Sequence, residues 1–111
     1  MNIIFNEQTK EFHIFNNNIS YIIKVLRNGQ LGQLYFGKKI RHRDDFGYLI
    51  ESKNRPMTQY MYEKDYSFSL EHLKQEYPCY GTTDYRYPAF EIKQENGSTI
   101  TEFEYVSNNI F

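Results

Sequence analysis

The chain has no tryptophan, one cysteine (Cys79), three prolines and six glycines among its 111 residues. A lone cysteine cannot form an internal disulfide, which fits a reducing compartment. The N-terminus lacks a basic segment followed by a long apolar run, so no signal peptide is predicted, and no stretch is long enough to span a membrane. We therefore expect a cytoplasmic protein of one domain that does not enter a membrane.

Neither sign of charge dominates, because 13 basic and 14 acidic residues leave a net charge of -1. Without a basic field, the protein is not expected to bind nucleic acid or anionic lipid. Three histidines, His13, His42 and His72, are widely separated, and no other histidine or cysteine lies at ligand spacing. We therefore expect no metal site and no cofactor.

Aromatic residues are abundant, with 11 tyrosines and nine phenylalanines making 18% of the chain. Such residues fit the half-buried surface of a β-sheet. Tyrosine also suits a surface that contacts sugar or protein, since it joins a large apolar area to a polar tip. We expect most of them to pack and a few to make such contacts.

Alternation of apolar and polar residues predicts a hairpin around Asn28-Gly29, a pair that favours a type I′ turn. One face of its first strand carries the apolar side chains of Ile19, Tyr21, Ile23 and Val25. Folding about this turn predicts three cross-strand pairs: Val25 with Gly32, Ile23 with Leu34, and Tyr21 with Phe36.

A second hairpin is predicted at Asn96-Gly97, with the cross-strand pairs Phe90–Phe103, Ile92–Thr101 and Pro88–Tyr105. Residues 11–15 also alternate and predict a strand that ends in the turn Asn16–Asn18. Ser69 is expected to cap a short helical turn that runs through Tyr77, with Leu70 and Leu73 on one side.

These elements predict an all-β fold: part of an antiparallel β-sandwich, with long loops and one short helical turn. We expect five or six strands in a sheet with one apolar face. Such a face needs a second layer, for which this chain supplies little.

The segment from Phe68 to Phe90 contains a dense series of short motifs. They read Phe-Ser-Leu (68–70), Gln-Glu-Tyr-Pro (75–78), Tyr-Gly (80–81), Asp-Tyr-Arg (84–86) and Pro-Ala (88–89). This series resembles the N-terminal β-sandwich domain of glycoside hydrolase family 36 α-galactosidases, and the resemblance spans nearly the whole chain. It implies that residues 1–111 are the N-terminal part of such a domain, with a supersandwich-like fold.

In enzymes of that family, the β-sandwich precedes a (β/α)8 barrel that carries an aspartate nucleophile and an aspartate acid/base. Those enzymes hydrolyse terminal α-galactosides with retention. None of the catalytic residues lies in this chain, and adjacent carboxylates such as Asp44 and Asp45 point to opposite faces of an extended chain. They cannot form the carboxyl pair about 5 to 9 Å apart that glycoside hydrolysis requires. The resemblance thus implies an active parent enzyme, and the chain alone is predicted to be inactive.

The resemblance also implies a loop, residues 53–66 here, that extends toward a galactose pocket. Asn54, Arg55 and Tyr66 are its candidate sugar-binding residues, although some relatives have aspartate at position 54 and arginine at position 66. The N-terminal domain also helps to build a homo-oligomer in that family. The candidate interface or structural residues are Tyr77, Tyr80, Asp84 and Arg86.

Two questions remain open at this point, one about a pair of residues and one about the whole chain. Asp84 and Arg86 lie on one side of an extended segment, where they form either an ion pair that holds a loop or a direct sugar site. The whole chain is either the start of an α-galactosidase or a free-standing β-sandwich module that binds carbohydrate. A third interpretation of the whole chain is an oligomerisation module without a ligand.

Overall fold

The computed structural model describes residues 1–54, 57, 62–81 and 85–111. The described chain is all-β, as predicted, and its sheet is antiparallel with the strands in sequence order. It has four strands rather than the expected five or six. The strands are β1 (Asn2–Asn6), β2 (Glu11–Phe15), β3 (Ile19–Val25) and β4 (Leu31–Lys38), and two single 3-10 turns cover Gly47–Leu49 and Leu70–His72.

The β3–β4 hairpin follows the predicted register only in its distal half. Tyr21 pairs with Phe36, as predicted. The other two predicted pairs are wrong, because Val25 pairs with Leu31 and Ile23 pairs with Gln33.

The difference arises in the turn, which has three residues rather than two. The Leu26 amide donates to the Gln30 carbonyl at 2.7 Å, and only Gly29, at φ +88°, has a left-handed backbone. A type I′ turn requires positive φ at Asn28 as well, so the predicted turn type is wrong. The extra loop residue shifts the pairing by one, and a bulge opposite Ile22/Ile23 restores it.

Asn96-Gly97 forms the same kind of turn. The Gln94 amide donates to the Ser98 carbonyl at 2.9 Å, and Gly97 has φ +82°. The rings of Phe90 and Phe103 lie 4.8 Å apart, so this predicted contact forms. The predicted strands do not, since no residue from 85 to 111 belongs to a strand.

The backbone of this C-terminal segment is bonded to other parts of the chain. The Thr101 amide donates to the Tyr80 carbonyl at 3.0 Å, and the Tyr105 amide donates to the Gly29 carbonyl at 2.8 Å. Thr101 and Tyr105 therefore bond to Tyr80 and Gly29, and not to their predicted strand partners Ile92 and Pro88.

One face of the sheet, called the closed face below, is covered by residues 39–46, called the strap. Ile22, His13 and Ser20 on this face are 0%, 1% and 0% exposed. Phe46 of the strap packs against it and is 1% exposed. Polar groups buried under the strap are bonded, as buried polar groups generally must be. The contacts between strap and sheet are Ser20 Oγ with the Ile40 amide (3.0 Å), Glu11 Oε2 with the Phe46 amide (2.9 Å), Asn6 Nδ2 with the Asp44 carbonyl (2.7 Å) and His13 Nδ1 with His42 Nδ1 (3.0 Å).

A small apolar core forms beside the strap, where Leu26 contacts Phe68, Leu70 and Leu73. The Ser69 hydroxyl accepts from the Glu71 amide at 3.4 Å, so Ser69 is the helix cap, as predicted. The helical turn nevertheless ends at Leu73, and its predicted extension to Tyr77 is wrong. The backbone of residues 74–76 instead bonds along the edge of β4, as in the Gln33 amide to Lys74 carbonyl bond of 2.8 Å.

The opposite face of the sheet, called the open face, is mostly apolar. The register puts twelve side chains on it, of which Gln33 and Lys38 are polar and the other ten are Ile3, Phe5, Phe12, Ile14, Ile19, Tyr21, Ile23, Val25, Leu31 and Phe36. Phe36 is 66% exposed and Ile19 is 41% exposed. An apolar face of this extent needs a covering layer.

Candidate functional site

Residues 62–68, called the stem below, include the C-terminal end of the loop predicted to reach a sugar, and they are bonded to the β3–β4 turn. Arg27, the first loop residue of that turn, donates through Nη1 to Asp65 Oδ2 and through Nη2 to Glu63 Oε2, the latter at 3.2 Å. Its guanidinium carbon lies 5.9 Å from the ring centre of Tyr62 and 5.7 Å from that of Phe68. One side chain therefore makes two ion pairs and two cation–π contacts with the stem.

The stem reverses direction through residues that rarely adopt the required backbone. The Asp65 amide donates to the Tyr62 carbonyl at 3.0 Å, and between them Glu63 and Lys64 have φ +51° and +60°. A left-handed conformation costs a non-glycine residue roughly 1–2 kcal/mol. Such backbone persists when its surroundings hold it, and here Arg27 is bonded to two of the four residues.

Tyr66 follows this turn and lies between two side chains that are tied to each other. Asp65 Oδ1 accepts from the Ser67 amide at 2.8 Å and from the Ser67 hydroxyl at 2.6 Å. These Ser67 bonds, and then the Arg27 guanidinium, lower the pKa of Asp65 to about 2. Tyr66 itself is 41% exposed.

The other predicted sugar-binding residues lie at the far end of the same loop. Asn54 is exposed, and Arg55 falls outside the described residues. The anchored Tyr66 and the exposed Asn54 are thus the two predicted sugar-binding residues whose setting the structure describes.

Two cavities lie where the loop meets the sheet. One has a volume of about 250 Å³ and includes Glu51, His72 and Lys74 in its lining. The other, of about 180 Å³, is bordered by Arg27 and Phe68. Typical small-molecule pockets measure about 300–1,000 Å³, so each cavity here is smaller than a complete pocket.

The predicted interface or structural residues lie in the segment 77–86. Tyr77 is exposed and Tyr80 is half-buried. Arg86 donates through Nη2 to the Leu70 carbonyl at 2.8 Å, which ties this segment to the 3-10 turn. Asp84 falls outside the described residues, so its predicted pairing with Arg86 stays a prediction.

A histidine pair joins the sheet to the strap, away from the loop: His13 is buried on β2, and His42 is a half-buried residue of the strap. His13 Nε2 is 3.0 Å from Ser20 Oγ, and the two Nδ1 atoms of His13 and His42 face each other at 3.0 Å. Burial, then the charge of His42 and that of Lys39, lower the pKa of His13. A proton on each facing nitrogen would bring two N–H groups into conflict, so the pair favours a state with at most one proton between them.

Arg27, Asp65 and the histidine pair were missed by sequence reasoning. Arg27 and Asp65 are 38 residues apart, and His13 and His42 are 29 apart. No local spacing connects such residues. The one available signal was the alternation of Glu11 and His13 with apolar neighbours, which marks a polar face on β2.

The described residues contain no group of three or more histidine, cysteine, aspartate or glutamate side chains placed to hold a metal. Within the same part of the chain, no helix combines the length and apolar character needed to cross a membrane.

The fold defines an antiparallel β domain with one apolar sheet face open and a long loop anchored at its stem. The sequence model of the glycosyl hydrolase family 36 N-terminal domain matches residues 29–111, and the chain belongs to this family.

Similar proteins include α-galactosidase AgaA of Geobacillus stearothermophilus, which is 38% identical over the whole of this chain and 15% of its own length. The crystal structure of an α-galactosidase from Lactobacillus brevis superimposes with a TM-score of 0.82 at 36% identity, covering 90% of this chain and 14% of that one. An AgaA variant in complex with raffinose gives a TM-score of 0.76 at 37% identity, covering 88% of this chain and 14% of the variant. This chain therefore spans only about one seventh of the length of these relatives.

Proposed function

We propose that residues 1–111 are the non-catalytic N-terminal part of the β-sandwich domain of a cytoplasmic α-galactosidase. The parent enzyme hydrolyses terminal α-galactosides with retention of configuration, using a catalytic barrel outside this chain. The family assignment supports this proposal, together with relatives that are α-galactosidases about seven times longer.

The observation that carries the structural part of the proposal is the open face of the sheet. The strap and the Leu26 core cover the closed face. On the open face Tyr105 contacts Phe12, with ring centres 6.3 Å apart, but Phe36 and Ile19 stay 66% and 41% exposed. Burial of apolar area contributes about 25 cal/mol per Å², so a face of this kind supplies much of the free energy that joins two layers. In the proposed enzyme the second layer of the sandwich comes from residues outside this chain.

The loop 53–66 is the proposed contribution to substrate binding. Asn54, Arg55 and Tyr66 offer an amide, a guanidinium and a phenol, which suit the hydroxyl groups of a galactoside. Two observations support this role: Asn54 and Tyr66 are exposed, and the stem of the loop is fixed by Arg27. The small cavities at its base favour a pocket that the rest of the enzyme completes.

The segment 77–86 is the proposed subunit contact of a homo-oligomer. Tyr77 and Tyr85 are 63% and 77% exposed, and aromatic residues of this kind are enriched in interfaces. An oligomerisation module without a sugar ligand is the second candidate function, favoured by the same open face.

Kinetics of Asn54→Ala in the longer protein test the role of the loop. Loss of one ordinary hydrogen bond predicts a cost of about 0.5–1.5 kcal/mol, seen as a higher KM or a lower kcat. Asn17→Ala is the matched control, since Asn17 is exposed in the β2–β3 turn at the opposite end of β3. If Asn54→Ala matches wild type in both parameters, the proposed sugar contact of Asn54 is wrong.

A further inference from the structure

We propose that Arg27 is a positioning residue that fixes the sugar-facing loop and presents Tyr66 to the galactoside. This inference rests on the proposed function for its substrate, but the anchoring itself is argued from this chain alone. Neither Arg27 nor its partner Asp65 belongs to the predicted sugar-binding set.

The anchor starts from a rigid base. The turn that carries Arg27 is closed by the Gly29 amide to Leu26 carbonyl bond of 2.9 Å. Asn28 and Gln30, which flank Gly29, are 5% and 4% exposed, and their side chains bond to each other at 2.9 Å. Few alternative conformations remain for the backbone from which Arg27 extends.

The guanidinium suits this role because of its shape. Its two terminal nitrogens reach two carboxylates of one turn, while its plane lies near two aromatic rings. A lysine ammonium has the same charge but no planar fork, so it cannot reproduce this arrangement. An arginine at position 27 therefore has a specific geometric consequence for the stem.

The contacts are partly exposed, and this limits what they do. The side chains of Arg27, Asp65 and Glu63 are 45%, 36% and 64% exposed, and exposed ion pairs contribute little to global stability. Their combined effect falls on a short turn whose two left-handed residues otherwise favour other backbone conformations. We therefore expect a local effect on the stem and a small effect on unfolding of the whole chain.

The consequence for Tyr66 follows from its neighbours. Arg27 holds Asp65, and Asp65 holds the amide and hydroxyl of Ser67. Tyr66 lies between these two restrained residues and stays 41% exposed. The arrangement restrains the backbone from which an exposed phenol extends, and the ring face and hydroxyl of that phenol are the groups that would contact a sugar.

Amide hydrogen exchange on the 111-residue chain tests the anchor directly. In Arg27→Ala we expect the amides of Asp65 and Ser67 to exchange about tenfold faster than in wild type, while amides of β3 are unchanged. Arg27→Lys is expected to fall between the two. Arg43→Ala is the matched control. The guanidinium carbon of Arg43 lies 4.9 Å from the ring centre of Tyr48, so this substitution removes a comparable exposed contact in another part of the chain.

Unchanged exchange at Asp65 and Ser67 in Arg27→Ala would overturn the anchoring role. A rise of the same size in Arg43→Ala, or across β3, would also overturn it, because the effect would then be a general loss of stability.

Steady-state kinetics of the longer enzyme test the positioning role. We expect Arg27→Ala and Tyr66→Ala each to raise KM for a nitrophenyl α-galactoside about threefold to tenfold, with a smaller change in kcat. In the Tyr66→Ala background, Arg27→Ala should then add less than about twofold, since both changes act through one side chain.

Full additivity of the two changes would show that Arg27 acts independently of Tyr66 and would overturn the positioning role. Failure of the proposed function is a different result: Tyr66→Ala then leaves KM unchanged. The exchange rates still decide in that case whether Arg27 fixes the stem.

Discussion

The histidine pair between the sheet and the strap predicts a loss of stability as the pH falls from 7 to 5. The pKa of His13 is lowered in the folded chain below the ordinary histidine value of 6.5. The unfolded chain therefore binds more protons than the folded chain below about pH 6.5. The stabilising contribution is complete above that pH and is lost as the pH falls through the lowered pKa.

The size of the effect follows from the facing Nδ1 atoms of His13 and His42, which are 3.0 Å apart. The unfolded chain protonates His13 near its ordinary pKa, whereas in the folded chain burial and the facing Nδ1 atom of His42 disfavour that proton. A difference of one proton changes the free energy of unfolding by about 1.4 kcal/mol per pH unit. The loss of stability between pH 7 and pH 5 is therefore at most about 2 kcal/mol, the value reached when His13 stays neutral in the folded chain over this whole range.

Urea unfolding at several pH values between 7 and 5 measures this loss. With a typical slope of about 1–3 kcal/mol per M, the midpoint should fall by roughly 1 M. In His42→Asn the amide oxygen can accept from a protonated His13, so less than half of the pH dependence should remain. His72→Asn is the matched control, because it removes a histidine that lies outside the strap.

The reasoning is refuted if wild type and His42→Asn lose the same stability between pH 7 and 5. It is also refuted if His72→Asn abolishes the dependence, since the titrating group would then lie outside the strap. Asp65, whose pKa is held at about 2, titrates below this window and does not obscure the result.

Two further predictions concern the turns and the open face. Gly29→Val and Gly97→Val should each destabilise the chain by about 1–3 kcal/mol, because both glycines have left-handed φ; unmoved denaturant midpoints would contradict the turn geometry. An added Cβ at Gly97 meets no atom within 4 Å, so its cost measures backbone strain alone. The isolated chain should self-associate through the open face, since apolar side chains there are exposed. Phe36→Ser should reduce this association in sedimentation experiments with little loss of stability, because Phe36 is 66% exposed; unchanged association would place the contact elsewhere.

The sequence predicted the features that depend on local chemistry. Alternation located β2 and β3, Ser69 was recognised as a cap, and the two Asn-Gly pairs marked true turns. It did not predict that each turn has three loop residues. That choice depends on contacts such as the Asn28 side chain with the Gln30 amide, which only the folded hairpin shows.

The missed features depend on distant contacts. β1 contains the run Ile3-Ile4-Phe5, which lacks alternation, and it is a strand because β2 supplies its hydrogen bonds. The strap is polar, and residues 39, 41 and 43–45 are exposed, as the sequence alone predicts for a solvated segment. Its attachment to the sheet was missed, because it depends on Glu11 and Ser20, whose side chains accept hydrogen bonds from its amides. The anchor of the loop is likewise a pairing across 38 residues.

Hydrolysis of a nitrophenyl α-galactoside tests the central claim most directly. The isolated 111-residue chain should release no nitrophenol even at high protein concentration, because the catalytic carboxylates are proposed to lie outside it, and the longer protein should release it readily. Turnover by the isolated chain that a point substitution within residues 1–111 abolishes would contradict the claim, as would a longer protein with no α-galactosidase activity.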